Sequence, residues 1–276
     1  MPRRHRMLIG GLFGLSAAVA PRDVAAQLSL APLTPAGQTV TPVFEGWYRN
    51  PDGSFSLSFG YFNRNEKEVL AVPVGGDNYI APGDSNQGQP AHFYPRRHWG
   101  VFAVRVPADF GEKRVVWTLK VRGKTFAIPG SLHRDWQIDA LEGEAGSNNT
   151  PPVLTFGNDG PEARGPAGVT VERAATVGTP MSVTVVAKDD GRGTGVARSG
   201  LPVALAWFTH QGPRPVAFGT PTATLTPTGG TSTTTATFAA PGEYIVRVRA
   251  NDSAIATAGH SQCCWTNAFI KVKVTP

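Results

Sequence analysis

The feature that most constrains the fold of this chain is a set of short segments in which apolar and polar residues alternate. One is SFSLSFGYFN at residues 54–63, and another is VVWTLKV at residues 115–121. A period of two is the period of a β-strand with one buried face. The 32 glycines and 24 prolines punctuate these segments, and nothing resembles a long amphipathic helix. Several short strands separated by turns indicate an all-β protein made of sandwiches or barrels.

The N-terminal segment predicts export. It opens with three arginines within six residues and continues with an apolar stretch at residues 7–20, which is short for a membrane-spanning helix. Small residues precede Gln27, as they do at a cleavage site. We therefore predict a signal peptide at residues 1–26 and no transmembrane segment in the mature chain. The predicted location is the periplasm, the cell surface or the extracellular space.

The net charge argues against a nucleic-acid partner. The formal charge is +6, but residues 1–26 hold four arginines and one aspartate, which leaves +3 for the mature chain. A nucleic-acid-binding domain carries a basic stripe that dominates its charge. We therefore predict no nucleic-acid binding.

The segment at residues 142–168 is small, polar and rich in proline and glycine, which is typical of a linker. We predict an N-terminal β-sandwich module at residues 27–145, a linker at residues 146–166 and a C-terminal module at residues 167–276. We also predict that fragments divided near residue 150 fold separately.

The first module resembles a β-sandwich of bacterial exported and surface proteins. The likeness lies in NPDGSFSLSFGYFNRNEKEVLAVPVGGDNYIAPG followed by GQPAHFYPRR, which match a G-Y-x-N strand and a G-Q-P-T-x-F-x-P-G-R stretch. Ala91 and Arg96 replace the threonine and the second glycine of that pattern. The resemblance implies an architectural module with no catalytic residue.

The second module is similar to bacterial immunoglobulin-like domains of the polycystic-kidney-disease type. The segments VGTPMSVTVVAKDDG, LPVALAWFTHQGPRPVAFG, TTTATFAAPGEYIVRVRANDS and NAFIKVKVTP match strands B, C, E to F, and G of that fold. The resemblance implies that Trp207 is the core tryptophan of strand C and Tyr244 the corner tyrosine of strand F. The predicted fold is thus two tandem β-sandwich, immunoglobulin-like modules after a cleaved signal peptide.

Alternation along strands C, F and G predicts an exposed face in which apolar and cationic side chains mix, as they do at partner surfaces. The alternative is a sheet decorated with lysine and arginine for solubility. The predicted binding surface consists of Phe208, Ile245, Arg247, Arg249, Phe269, Lys271 and Lys273.

The loops after strands B and F leave the same pole of the predicted second sandwich and carry oxygen ligands suited to calcium. These are Asp189, Asp190, Asn251 and Asp252. The alternative is that they bond their own turns. A soft-metal site of His260 with the two cysteines is a weaker alternative, because no tetrahedral ligand spacing is present. Apart from calcium, we predict no cofactor.

Cys263 and Cys264 are the only cysteines and are adjacent. A neighbouring pair cannot close a long loop, so it does not staple a domain. In an oxidising compartment we predict a vicinal disulfide at the tip of the F to G loop. Free thiols and intermolecular pairing are the alternatives.

These features together predict a non-catalytic exported protein that binds or scaffolds in the bacterial envelope, as an accessory or structural subunit. The predicted partner is an envelope protein or membrane complex. One alternative is a carbohydrate-binding protein, with aromatic residues of the first module lining the glycan site: Trp47, Tyr48, Phe93, Tyr94 and Trp99. The other is a hydrolase of unrecognised chemistry. His92, His98 and His133 stand in separate segments without carboxylate partners, so we interpret them as solvated or structural.

Overall fold

A computed structural model describes residues 34–143, 148–193, 200–252 and 264–276. Within these ranges the regular elements are β-strands and one 3₁₀-helical turn, so the all-β prediction is confirmed. No helix in the described residues is both long and apolar enough to span a membrane. The predicted signal peptide lies outside the described residues.

The first sandwich consists of two three-stranded sheets and a two-stranded ribbon. The elements are β1 (Val40–Arg49), β2 (Phe55–Asn63), β3 (Leu70–Ala71), β4 (Asn78–Ala81), β5 (His92–Phe93), β6 (Arg96–Val106), β7 (Val115–Val121), β8 (Lys124–Gly130) and a 3₁₀ turn (Arg134–Trp136). The sheets have the strand orders β1-β2-β6 and β4-β7-β8, and the ribbon pairs β3 with β5.

The core of this sandwich forms where the apolar positions of the alternating segments meet. The rings of Phe59 and Phe102 stack with centroids 5.4 Å apart, and both contact the ring of Trp117 edge-on. The buried Asn78 accepts a hydrogen bond from the Trp117 indole and donates to the carbonyls of Val72 and Pro90. This amide satisfies polar groups that burial would otherwise leave unpaired.

Two turns of the first sandwich follow the sequence. The NPDGS turn joins β1 to β2 in an antiparallel hairpin as predicted, with Ser54 N donating to the side chain of Asp52. Arg96 stands where the related pattern has glycine, and its φ of 72° lies in the left-handed region. This position therefore keeps the backbone conformation that favours glycine although it carries an arginine.

The second sandwich has sheets of the orders β13-β15-β11-β9 and β10-β17-β16-β12-β14, with β10 parallel to β17. The first strand of this sandwich, β9, pairs with β11, and the second, β10, pairs with β17 in the other sheet. This is an immunoglobulin-like arrangement. The strands are β9 (Val153–Phe156), β10 (Thr170–Thr176), β11 (Met181–Lys188), β12 (Ala204–Gln211), β13 (Ala217–Phe218), β14 (Thr222–Thr224), β15 (Gly229–Thr237), β16 (Gly242–Asn251) and β17 (Trp265–Thr275).

One boundary differs from the sequence prediction. Residues 153–156, inside the predicted linker, form β9 and pair antiparallel with β11. Leu154 and Phe156 of this strand are buried in the core of the second sandwich. The sequence VLTF was not recognised as a strand because it is only four residues long and lies between prolines and glycines.

The core of the second sandwich follows the predicted alternation. Trp207 is buried in this core on β12. Tyr244 is also buried, and its hydroxyl donates to the carbonyl of Ala240 at 3.0 Å, which is the geometry of a tyrosine corner. The residues of β16 and β17 that alternate with the predicted exposed face line this core: Tyr244, Val246, Val248, Ile270, Val272 and Val274.

Candidate functional site

The two sandwiches belong to one compact unit, and we call the contact between them the junction. The two serines on the predicted polar face of β2, Ser56 and Ser58, are buried. Tyr48 lies opposite Ser56 on β1, and its hydroxyl accepts a hydrogen bond from Ala167 N at 3.0 Å. The prediction of a half-buried β2 is therefore wrong, since its polar face is covered as well.

Gly100 connects the two sandwiches through its backbone. Its N–H donates to the carboxylate of Glu45 in the first sandwich. Its carbonyl accepts from the Trp265 indole at 3.2 Å and from the Asn267 amide at 2.6 Å, both on β17. Any Cβ atom at residue 100 would overlap the Trp265 ring, so this contact requires glycine.

A second set of junction contacts lies along β12. Thr209 N donates to the Tyr94 hydroxyl at 2.9 Å, and Ala91 N donates to the carbonyl of His210 at 2.7 Å. His92 Nε2 lies 3.0 Å from the carbonyl of Gly212. Backbone groups of both sandwiches thus take part directly in hydrogen bonds across the junction. These bonds fix the position of one sandwich against the other.

The predicted binding surface is partly covered by this junction. Phe208 is 8%, Phe269 7% and Arg247 1% exposed. The guanidinium of Arg247 lies over the Phe208 ring at 4.4 Å and donates to Asn267 Oδ1 at 3.2 Å. The prediction that these three residues are exposed to a separate partner is wrong. Alternation identified the side chains that leave the core of the second sandwich, but it does not show that the first sandwich covers them.

Burial dominates the electrostatics of the junction. It raises the pKa of Glu45 to about 7, although Arg97, whose guanidinium lies 2.6 Å from the carboxylate, and the Gly100 N–H oppose the rise. It lowers the pKa of His98 to about 3, and the charges of Arg247, Arg249 and Arg97 lower that pKa further. His98 is therefore neutral at physiological pH.

Three other residues of the predicted surface, Ile245, Lys271 and Lys273, line a cleft at the edge of the junction, together with the small exposed part of Phe269. Ile245, Phe269 and Lys271 face Phe102 and Ala103 of the first sandwich across a space of about 310 Å³. An adjoining space of about 380 Å³ is lined by Ile245, Lys271 and Lys273, together with Asn86, Glu172, Arg173, Gln211, Glu243 and Tyr244. We call these two spaces together the junction cleft.

The charge of the cleft is more balanced than the sequence predicts. Lys271 stands beside Glu172 on β10, and Lys273 stands opposite Glu243 on β16. Both lysines are exposed. The predicted basic patch is therefore a surface of mixed charge, because strand pairing brings glutamates from two neighbouring strands next to the lysines.

The predicted calcium ligands separate into two environments. The carboxylate of Asp190 is occupied by local hydrogen bonds. It accepts from Thr150 N, from the Thr150 hydroxyl and from Arg192 N. Asp189 accepts from Gly191 N, and Asp252 is fully buried. Asn251 ends β16 and pairs with Trp265. Among the described residues, no three His, Cys, Asp or Glu side chains are arranged to hold a metal ion. Calcium binding at this pole stays a prediction.

Asp189 and Asp252 lie close enough for their protonation to be coupled. Burial raises the pKa of Asp252 to about 8, and the charge of Asp189 raises it further. Burial also raises the pKa of Asp189 to about 6. The folded protein therefore favours the protonated acids, so their contribution to stability is greatest below about pH 4.

Between about pH 4 and pH 8 these two acids ionise in the folded state, so their contribution to the free energy of unfolding falls. The buried His98 and His210, whose pKa values burial lowers to about 3, contribute with the opposite sign as the pH rises toward about 6.5, so the effect of Asp252 is measured as the difference between Asp252→Asn and the wild type. Asp252→Asn removes one charge and should be more stable than the wild type by about 1–3 kcal/mol at pH 9. Urea unfolding measured across this pH range tests the expectation. The exposed Asp159→Asn should run parallel to the wild type, and a parallel profile for Asp252→Asn as well would contradict the burial of an unfavourable charge. Repeating the pH 9 measurement with calcium tests the calcium prediction.

The cysteine prediction falls mainly outside the described residues, which include Cys264 but neither Cys263 nor His260. Cys264 is buried, and its Sγ lies 3.1 Å from the carbonyl of Asn149. It immediately precedes β17, so it lies at the base of the loop and not at an exposed tip. The vicinal disulfide stays a prediction.

The aromatic residues proposed as a glycan surface are mostly structural. Tyr48 and Phe93 are buried, and Tyr94 packs edge-on against Phe208 in the junction. Trp99 lies under the guanidinium of Arg97 at 3.8 Å. Trp136 is instead the large aromatic residue exposed among those described.

Of the three histidines, His92 and His98 are buried and only His133 is exposed.

Sequence reasoning missed Glu45, Gly100 and Asn267, which organise the junction. A signal was present in part. Glu45 and Asn267 are polar residues inside strands in which most other positions are buried, and a polar residue in such a position needs a partner. The identity of that partner could not be read, because Gly100 contributes only backbone groups.

No protein-family model matches the chain, and no curated protein matches it. Among solved structures, the chain is similar to the D00-D0 domain of intimin, with 15% identity and a TM-score of 0.27 over 86% of this chain and 100% of that chain. It is also similar to the D0-D1 domain of intimin, with 11% identity and a TM-score of 0.25 over 85% of this chain and 97% of that one. A protein of unknown function from Porphyromonas gingivalis W83 shows 8% identity and a TM-score of 0.25 over 85% and 99% of the two chains. We therefore base the functional proposal on the junction and its cleft alone.

Proposed function

We propose that this chain is a non-catalytic exported protein that binds or scaffolds other proteins in the bacterial envelope, with the junction cleft as its binding site. The observation that carries the proposal is the cleft itself. It is built from both sandwiches and contains four of the seven residues of the predicted binding surface: Ile245, Phe269, Lys271 and Lys273.

The composition of the cleft suits a protein partner. Ile245, with the small exposed part of Phe269, supplies apolar surface beside the exposed charges of Lys271 and Glu172. Protein interfaces combine an apolar centre with a polar rim in this way. The direct hydrogen bonds across the junction fix both walls of the cleft, so a partner meets a preformed surface and ordering the site costs little free energy.

The test is recovery of partners from the organism's own envelope by the tagged mature protein, with identification by mass spectrometry. Lys271→Glu should reduce recovery of a specific envelope protein at least tenfold without lowering the melting temperature. The matched control is Lys188→Glu, which reverses an exposed charge on β11, in the opposite sheet. Equal recovery by wild type, Lys271→Glu and Lys188→Glu would contradict the cleft as the binding site.

A further inference from the structure

The junction holds an excess of positive charge around His98. In addition to burial, the charges of three guanidinium groups, those of Arg247, Arg249 and Arg97, lower the pKa of this imidazole. Arg97 forms an ion pair with Glu45. Arg247 and Arg249 form none with any carboxylate of the described residues, whose ion pairs all lie elsewhere. Two of the three cations therefore lack a compensating anion within the described part of the chain.

Arg247 and Arg249 lie on the same face of β16 and share one aromatic contact. Their Cζ atoms lie 4.4 Å and 5.7 Å from the centroid of the Phe208 ring. The ring stabilises both cations but does not accept a hydrogen bond in the plane of a guanidinium. The like charges of the pair also repel each other, so each disfavours the charged form of the other.

Hydrogen-bond donors are left over on both side chains. Nη1 of Arg247 donates to Asn267, but the buried Nε atoms of Arg247 and Arg249 have no acceptor among the described residues. Arg247 is 1% exposed, so bulk water does not substitute for that acceptor. A buried charged donor without an acceptor is costly, and an anion that supplies oxygen atoms would remove the cost.

Arg249 is the more exposed member of the pair. Arg247 is enclosed, whereas Arg249 is only half-buried. The planar guanidinium matches the paired oxygens of a phosphate or sulfate group, and such charge-assisted hydrogen bonds are the strong ones in proteins. Lys271 lies on the same face, but it is exposed and stands beside Glu172. Its charge therefore already has a neighbouring carboxylate.

We propose that a tetrahedral oxyanion of the phosphate or sulfate type binds at Arg249, next to Arg247, and stabilises the junction by neutralising this arginine pair. The site is separate from the junction cleft and does not depend on which protein the cleft binds. Its occupation would couple the stability of the two-sandwich unit to the oxyanion concentration around the protein.

The test is the thermal unfolding of the mature protein in phosphate, sulfate, acetate and chloride at equal ionic strength and pH. Phosphate or sulfate at several times its dissociation constant should raise the melting temperature by about 2–4 °C relative to chloride. Isothermal titration with inorganic phosphate should give one site per chain. Equal effects of all four anions, or an effect of acetate alone, would overturn the proposal.

Two variants assign the effect to the arginine pair. Arg249→Gln should weaken phosphate binding at least tenfold, and Arg249→Lys, which keeps the charge but loses the fork, should weaken it less. Lys271→Gln is the matched control, because it removes an exposed cation from the same face, and it should leave the phosphate effect unchanged. An unchanged phosphate affinity in Arg249→Gln would overturn the proposal. If Arg249→Gln does not fold, the affinity of Arg249→Lys decides, and its equality with the wild type would overturn the proposal.

Discussion

Arg247→Glu will destabilise the protein by about 3–5 kcal/mol, whereas Lys271→Glu will leave its stability nearly unchanged. The two residues lie on adjacent strands of one sheet face, and the sequence alone gives them the same role. In the structure Arg247 is buried between the sandwiches against Phe208, and Lys271 is exposed in the cleft. A glutamate at residue 247 would bury a negative charge and place its oxygens against the Asn267 Oδ1 acceptor.

Urea unfolding of the two variants and the wild type measures this difference. Arg247→Met is a useful third variant, because it keeps the length of the side chain without a charge. Replacing a buried charge by an apolar residue of similar volume is often neutral or stabilising, so Arg247→Met should lose far less stability than Arg247→Glu. Equal stability of Arg247→Glu and Lys271→Glu would show that Arg247 is not enclosed by the first sandwich.

Gly100→Ala is the second substitution for which we expect a large effect, a loss of about 2–5 kcal/mol. Two costs combine. The φ of +44° places residue 100 in the left-handed region, and a Cβ atom there would overlap the Trp265 indole. Relieving the overlap would separate the Gly100 carbonyl from two buried donors. The Trp265 indole would lose its acceptor, and the Asn267 amide would keep only the carbonyl of Pro166.

Gly123→Ala separates the two costs. Gly123 has a φ of +72°, but a Cβ atom there would meet nothing within 4 Å. This control should therefore lose only the about 1–3 kcal/mol that a left-handed non-glycine residue costs. Guanidinium chloride unfolding of both variants gives the comparison. If Gly100→Ala were no less stable than Gly123→Ala, the close approach of β17 to Gly100 would be ruled out.

The inward faces of the strands could be predicted from the sequence because burial repeats with a period of two. Val246 and Val272 enter the core as predicted, and Trp207 and Tyr244 occupy their expected places. β9 escaped prediction, because four residues between prolines and glycines carry too short a period to recognise.

The junction could not be predicted for a different reason. The serine face of β2 and the arginine face of β16 are each polar enough to remain in water, so neither sequence pattern reveals that the face is covered in the folded chain. What brings the two sandwiches together is a set of specific hydrogen bonds, such as those of Gly100 with β17, and backbone donors and acceptors are the same in every sequence. The cleft depends on the junction, so its position was equally hidden.

Calorimetry of the wild-type mature chain tests most directly whether the two sandwiches act as one unit that presents the cleft. We expect a single cooperative transition near neutral pH, with equal calorimetric and van't Hoff enthalpies, because separating the sandwiches would expose Trp265, Phe208 and Arg247 together. Two transitions, each reproduced by a fragment divided near residue 150, would contradict this. The sandwiches would then be independent modules, as the sequence alone predicts, and the cleft would not be a preformed site.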